Sequence, residues 1–490
     1  MGVPHRRGRC DCPIRQIEYI YIDMQAADLD IRRYDRIYFL GIGGIGMSAL
    51  ALYCLHEGKR VDGYDRVETP LCRRMAACGA RIHYTESPEL VPADTQLVIY
   101  TPAIPADHRE WAALRALGVP VCKRAEVLGT CTRPYRTLAV AGSHGKTTTS
   151  ALLAYLLHET DGCCAFLGGV AKNYDSNFLY TAGAEWAVAE ADEYDRSFLQ
   201  LHPRYSIVTA MDADHLDIYG TVENMRAAFA EFMRQTDTQG GVIIKDTWRA
   251  YVPDVPVYRT YGLEAMPGTQ VYARGLRVDD GAYRFDYVSP DMEINDLRLT
   301  YPGRHNVENA LAAVTAALAA GVRPDDIRRL LPGFRGVKRR FDIQYRDGER
   351  LYIDDYAHHP DEIAVCLRAL RELYPKRPIR VAFQPHLYSR TRDLAAGFAK
   401  SLQLADEVVL LDIYPARERP IPGVTARSIG ELIQGRPVHY ATLQNAIDVL
   451  GTLPPLPILV TMGAGDIDTL VTPLRARYEN EHTVNPAMQP

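Results

Sequence analysis

No stretch of this chain is long and apolar enough to cross a bilayer. The longest apolar run, Ala310 to Val322, is interrupted by Thr315 and Gly321 and falls short of the roughly 20 residues a membrane helix needs. The N-terminal segment MGVPHRRGRCDCPIRQIEY lacks the apolar core of a signal peptide. No block of lysine and arginine marks a nucleic-acid or membrane footprint, and the net charge is only −5. Ten cysteines are scattered without a Cys-x-x-Cys, and only Cys10/Cys12 and Cys163/Cys164 lie close together. That pattern argues against zinc and for reduced structural thiols. Internal repeats and low-complexity tracts are also lacking. The expectation is a soluble cytoplasmic protein with no nucleic acid and no membrane insertion.

What is present fits a globular chain. Its 490 residues are 47% hydrophobic and 24% charged, enough for about three domains with their own cores. Short β-branched runs alternate with Ala/Leu-rich helical runs, which predicts an α/β fold with mostly parallel sheets. Residues 1–33 read as an extension, either a frayed tail, a functional arm or a start set upstream of Met24. Three units follow: 34–132, 133–341 and 342–490. The last boundary falls in LPGFRGVKRRFD, where a Pro/Gly pair meets a basic run and predicts a hinge.

Two glycine-rich turns follow predicted strands. Gly41-Ile42-Gly43-Gly44-Ile45-Gly46 fits G-x-G-x-x-G, a turn that brings a diphosphate to a helix N-terminus. Asp65, 24 residues beyond Gly41, ends the next strand, where it would hold a ribose or base. A dehydrogenase, a nucleotide-sugar binder or a purely structural turn would all fit. Gly142-Ser143-His144-Gly145-Lys146-Thr147-Thr148 is more specific. Backbone N–H groups cradle phosphate, Lys146 supplies a cation and Thr147 a hydroxyl for Mg²⁺. The full Walker pattern is not met, because Val140 stands at its leading glycine.

Polar residues close several other strands, where open α/β sheets bind ligands. Glu190, in Glu190-Ala191-Asp192-Glu193-Tyr194-Asp195, is the expected Mg²⁺ ligand; Asp192, Glu193 and Asp195 read as solvated or capping groups. His215 is a metal ligand or a structural histidine. In Gly303-Arg304-His305-Asn306-Val307-Glu308-Asn309, Asn306 or Asn309 would bond adenine and His305 would stack on it. Alternatively, Asn306 is a helix N-cap. Arg339-Arg340 either reaches a γ-phosphate or is a solvated basic run. Asp355, Tyr356 and His358, with His386 and Arg390, sit where an amine and a carboxylate would be bound.

Taken together, GIGGIGMSALA, AGSHGKTTT, EADEYDRSF, DADHLDIYG, GRHNVENALAA, DDYAHHPDEI and FQPHLYSRT resemble the Mur ligases of peptidoglycan synthesis, in the family's order from Tyr34 to about residue 470. The resemblance implies an N-terminal Rossmann-like UDP-sugar domain, a central P-loop-type ATPase and a C-terminal Rossmann-like domain for the amino acid. It places Gly41, Gly43, Gly44, Gly46 and Asp65 on the UDP-sugar. Gly142 to Thr148, His305, Asn306, Asn309, Arg340 and Asp355 fall on ATP; Thr147, Glu190 and His215 on the metal; Tyr356, His358 and Arg390 on the amino acid. Lys146, Arg340 and His358 carry the catalytic roles, His358 being either proton acceptor or simple binder. Some members have a second arginine where this chain has Leu387. No lysine occurs between Leu216 and Ile244, so the CO₂-modified lysine of other branches is not expected.

The implied reaction joins L-alanine to the lactyl carboxylate of UDP-N-acetylmuramate through an acyl phosphate, with ATP and Mg²⁺. The alternatives are a recycling ligase adding a whole tripeptide to the same sugar, an NAD(P)-dependent oxidoreductase built on Gly41–Gly46, and a non-catalytic nucleotide sensor.

Overall fold

The computed structural model describes residues 29–213, 216–279, 281–416 and 418–484. Its first strands are β1 (Arg36–Leu40), β2 (Arg60–Tyr64), β3 (Arg81–His83), β4 (Leu97–Tyr100) and β5 (Val121–Lys123). They form an all-parallel sheet in the order β3-β2-β1-β4-β5. Parallel neighbours need crossovers, and the helix Ile45–His56 supplies the first. Met47 to Cys54 of this helix are all buried. One flank covers its own sheet, and on the other Tyr53 meets Phe178 edge-on at 6.2 Å. A helix covered on both sides is apolar all round, which accounts for the run MSALALYC.

The middle unit holds β6 (Arg136–Ala141), β7 (Cys164–Ala171), β8 (Ser176–Leu179), β9 (Trp186–Glu190), β10 (Tyr205–Val208), β11 (Gly241–Lys245) and β12 (Val257–Tyr261). Their order is β12-β11-β10-β6-β9-β7-β8, parallel except for the β7–β8 hairpin. A separate antiparallel meander follows, β13 (Tyr272–Asp279), β14 (Ala282–Val288) and β15 (Glu293–Leu299). The C-terminal sheet comprises β16 (Asp342–Arg346), β17 (Leu351–Asp355), β18 (Ile379–Phe383), β19 (Glu407–Leu411), β20 (Val438–Ala441) and β21 (Ile458–Met462). Its order is β16-β17-β21-β18-β19-β20, with only β16 antiparallel. The architecture is α/β with mostly parallel sheets, as the alternating pattern predicts.

Two sequence expectations change here. Leu29 and Ile31, inside the presumed extension, are 3% and 2% exposed and pack into the N-terminal core; residues 1–28 lie outside the described residues. The expected hinge is pinned in its middle. Lys172 N donates to Gly336 O at 3.0 Å and Lys338 N to Val170 O at 2.9 Å, so 336–338 continue the edge of β7. The backbone turns only beyond them, where Arg339 and Phe341 take φ of 61° and 42°. Among the described residues no helix is long and apolar enough to cross a membrane, and the eight described cysteines are free thiols.

Candidate active site

The strand β6 ends at Ala141, and after four intervening residues the helix Lys146–His158 begins. Gly142 and Gly145 have φ of 140° and 83°. A Cβ at Gly142 would stand 2.2 Å from Thr209 Oγ1, and one at Gly145 2.5 Å from Asn309 Oδ1. Only glycine fits both the backbone and the space, and the helix N-terminus is left open as an anion site. Lys146 Nζ donates to Gly142 O at 2.8 Å and to Glu193 Oε1 and Oε2 at 2.7 and 2.8 Å. Burial works against its charge, but the carboxylates of Glu193, Asp192 and Glu190 outweigh burial and hold the ammonium above its ordinary range. Glu193 is thus not solvated: it is fully buried, and although it stands at the N-cap of the turn Tyr194–Gln200, its side chain makes no capping bond and holds the lysine instead.

Thr147 Oγ1 donates to Glu190 Oε1 at 3.0 Å, and Ser150 Oγ and Gly168 N donate to Oε2 at 3.3 and 3.0 Å. Burial pushes the Glu190 carboxyl up, with Lys146 opposing. Hydroxyl and carboxylate oxygens side by side make a donor set suited to a hard cation. His215, the other expected ligand, lies outside the described residues. No group of three metal-ligating side chains occurs among the described residues.

Two clefts meet at this point. The first, about 330 Å³, is lined by Ser143 to Thr148, His305, Asn306, Asn309, Arg340 and Asp355, all expected, and by Lys245, Tyr261, Tyr301 and Glu362, which were not. Lys245 and Tyr261 close β11 and β12, so the strand-end rule would have found them. Burial depresses His305 to about 4, leaving a neutral ring. Asn306 is not the N-cap, a place taken by Gly303. It is 3% exposed, and its Oδ1 accepts from Asn309 Nδ2 at 3.1 Å.

The second cleft, about 470 Å³, is lined by Gly44, Ile45, Gly46, Thr101, Lys123 and Arg124 on one side and by Gly168, Glu190, Asp192, Tyr194 and Asp195 on the other. A Cβ at Gly46 would come within 2.7 Å of Arg124 Nη1, so this guanidinium lies on the helix N-terminus. No motif marks Arg124. Asp65 braces the loop, its Oδ2 accepting from Gly43 N at 2.7 Å. Gly41, with φ of 90°, and Gly43 shape the turn behind the cleft wall.

The C-terminal unit divides the two arginines. Arg339 is structural, with Nη2 donating to Gly463 O at 2.6 Å and Nη1 3.1 Å from Asp468. Arg340 faces the first cleft, 3.8 Å from Glu362 and 5.2 Å over the Tyr356 ring. Asp355 accepts from Phe341 N at 2.6 Å and Ala357 N at 2.8 Å, tying the interdomain turn to β17. Burial raises its carboxyl to about 6. His358 Nδ1 lies 3.0 Å from Tyr356 O. A carbonyl only accepts, so Nδ1 carries the proton and Nε2 is left as an acceptor. Burial also lowers the His358 pKa, with Glu362 opposing. The His386 ring lies 6.1 Å from His358. Among the described residues, the buried His386 Nδ1 and Arg390 Nη1 have no hydrogen-bond partner.

Comparison with known proteins gives a consistent result. Three family models match in succession: "Mur ligase family, catalytic domain" over residues 36–136, "Mur ligase middle domain" over 140–317, and "Mur ligase, glutamate ligase domain" over 339–465. The UDP-N-acetylmuramate–L-alanine ligase of Phocaeicola vulgatus is 44% identical over 454 residues, covering 90% of this chain and 98% of that one. The crystal structure of the UDP-N-acetylmuramate–alanine ligase of Thermotoga maritima aligns with a TM-score of 0.77 at 31% identity, covering 91% and 99% of the two chains. A murein peptide ligase of Psychrobacter arcticus shares the fold, with a TM-score of 0.62 at 20% identity over 90% and 98%.

Proposed function

The chain belongs to the Mur ligase family, and from that premise we propose that it is an ATP-dependent ligase joining L-alanine to the lactyl carboxylate of UDP-N-acetylmuramate in peptidoglycan synthesis. ATP occupies the first cleft and the UDP-sugar the second. One observation carries this reading: the two clefts share a wall, made of Thr147 and Glu190 with their oxygens 3.0 Å apart. A nucleotide held by Gly142–Thr148 therefore brings its γ-phosphate to the wall that a sugar carboxylate approaches from the other side.

A carboxylate does not condense with an amine unaided. A lactyl oxygen attacks the γ-phosphorus, the bond to ADP breaks, and an acyl phosphate results. The alanine amine then attacks the acyl carbon and phosphate leaves with the former carboxylate oxygen. Two anions must meet in the first step. Lys146 and Arg340 supply positive charge there, so catalysis is chiefly electrostatic stabilisation and positioning. The oxygen donors of Thr147 and Glu190, with His215, would hold Mg²⁺, which withdraws charge from phosphate. His305, Asn306 and Asn309 line the nucleotide cleft for the base, and Asp355 fixes the turn that presents Arg340. Tyr356, His358 and Arg390 take the alanine, with neutral His358 Nε2 free to accept the amine proton. We place the enzyme in the cytoplasm, as a monomer or homodimer.

The oxidoreductase reading leaves Gly142–Thr148 and Glu190 without use. The tripeptide-adding reading is supported only at the level of fold. The test is direct. ADP should appear only when UDP-N-acetylmuramate and L-alanine are both supplied, and carboxyl-¹⁸O sugar should give phosphate carrying one ¹⁸O. Label in AMP with pyrophosphate released would sink the mechanism.

A further inference from the structure

Lys146 has no donor to spare. An ammonium carries three N–H groups, and three acceptors surround this one: Gly142 O at 2.8 Å and the two Glu193 oxygens at 2.7 and 2.8 Å. A phosphate at Lys146 must take a donor away from one of them. Gly142 O belongs to the cradle and is neutral. Glu193 is an anion, fully buried, and a buried carboxylate deprived of its cation is costly. Its place is fixed from behind. Tyr219 Oη donates to Glu193 O at 2.5 Å, and the next residues but one, Asp195 and Arg196, hold left-handed φ of 51° and 57°.

Resting on the ATP-site reading above, we propose that Glu193 is the resident counter-ion of Lys146 and competes with the terminal phosphate of the nucleotide for its ammonium. The acidic segment thereby has two different tasks. Glu190 faces Thr147 at the shared wall, while Glu193 restrains the lysine until a triphosphate displaces it. Glu193 is a positioning residue and does not touch substrate. Its neutral isostere would relax the restraint, and the remaining carboxylates of Glu190 and Asp192 would keep the lysine in anionic surroundings.

The test measures binding without turnover, by titrating MgATP and MgADP calorimetrically into the full-length protein in the absence of sugar. Glu193→Gln should bind MgATP at least threefold more tightly than wild type, and MgADP with a smaller gain, because the competing group is the terminal phosphate. In a Lys146→Met background the same substitution should change neither affinity. In steady state the KM for ATP should fall while those for the sugar and alanine hold. An unchanged or weaker MgATP affinity in folded Glu193→Gln would overturn the proposal, as would a gain that persists without Lys146. Should the glutamine variant not fold, Glu193→Asp carries the test: its shorter reach should also tighten MgATP, and an unchanged or weaker affinity counts against competition. Failure of the wild type to bind MgATP at all would instead refute the ATP-site reading.

Discussion

Lys146 is where the electrostatic argument concentrates. Its ammonium is buried among carboxylates, so it stays charged across the physiological range, and a neutral side chain of similar length removes that charge from the phosphate site. Lys146→Met should lower kcat/KM by well over tenfold, a loss exceeding about 1.4 kcal/mol of transition-state stabilisation, with the circular dichroism spectrum unchanged. Retention of more than a tenth of wild-type kcat/KM would refute the phosphate assignment. His358 gives a second prediction at this scale. Burial holds its pKa below the usual histidine value, and a neutral Nε2 is required to accept a proton. Activity at saturating ATP and sugar should therefore hold at neutral pH and fall only as pH drops through a value below 6.5. His358→Gln should abolish that acid limb as well as lowering kcat; a limb that survives unchanged would assign it to another group.

At the scale of elements, β7 shows what a motif scan overlooks. Paired glycines interrupt this strand, and glycine inside a strand often marks a close approach. A Cβ at Gly168 would lie 2.2 Å from Glu190 Oε1, and one at Gly169 2.8 Å from Thr147 Cγ2. The strand edge thus forms the back of the wall shared by the clefts. Gly168→Ala should push Glu190 off Thr147, lower kcat at least tenfold and raise the Mg²⁺ concentration needed for half-maximal rate, while thermal unfolding changes little because Gly168 lines the open cleft and the added methyl meets only the end of the Glu190 side chain. Wild-type Mg²⁺ dependence in that variant would count against Glu190 as a ligand. The contrast with Gly142–Thr148 explains what was legible in the sequence. A strand–glycine–helix turn is local, so its spacing carries its geometry. The all-parallel N-terminal sheet and the crossover helix were readable for the same reason. Glu193 on Lys146, Arg124 on the helix at Gly46 and the pinning of 336–338 join residues dozens to more than a hundred positions apart, and no spacing records them. Arg339 and Arg340 are adjacent and chemically identical; only the left-handed turn at Arg339 sends one into the C-terminal unit and leaves the other at the cleft.

The molecule as a whole turns on the tip of the β7–β8 hairpin, which touches all three units. Arg74, from the N-terminal unit, donates to Asp175 O at 2.9 Å. Asn173 Nδ2 donates to Gly333 O at 2.8 Å. Lys338 pairs with Asp175. Lys172 pairs with Asp342, the first residue of β16, and reaches Ile343 O at 3.3 Å. Most of these contacts are exposed and contribute little each. The Lys172–Asp342 pair differs, because the Asp342 side chain is only 3% exposed and that of Lys172 18%. Removing one partner strands a buried charge, which costs roughly 3–5 kcal/mol, whereas removing both costs much less. Asp342 keeps one further donor, Arg339 N at 3.1 Å, so the lower end of that range is expected. Lys172→Met should therefore destabilise the C-terminal unit by about 3 kcal/mol in denaturant unfolding followed by a probe in that unit. Lys172→Met with Asp342→Asn should recover part of the loss, giving a coupling energy above about 1 kcal/mol. Because the same pair sets where β16 leaves the middle unit, the single variant should also raise the KM for alanine more than that for ATP, whose phosphate loop Gly142–Thr148 and base-side residues His305, Asn306 and Asn309 all belong to the middle unit. Additive effects within about 0.5 kcal/mol, or equal changes in both KM values, would mean that the hairpin tip merely touches the C-terminal unit without positioning it.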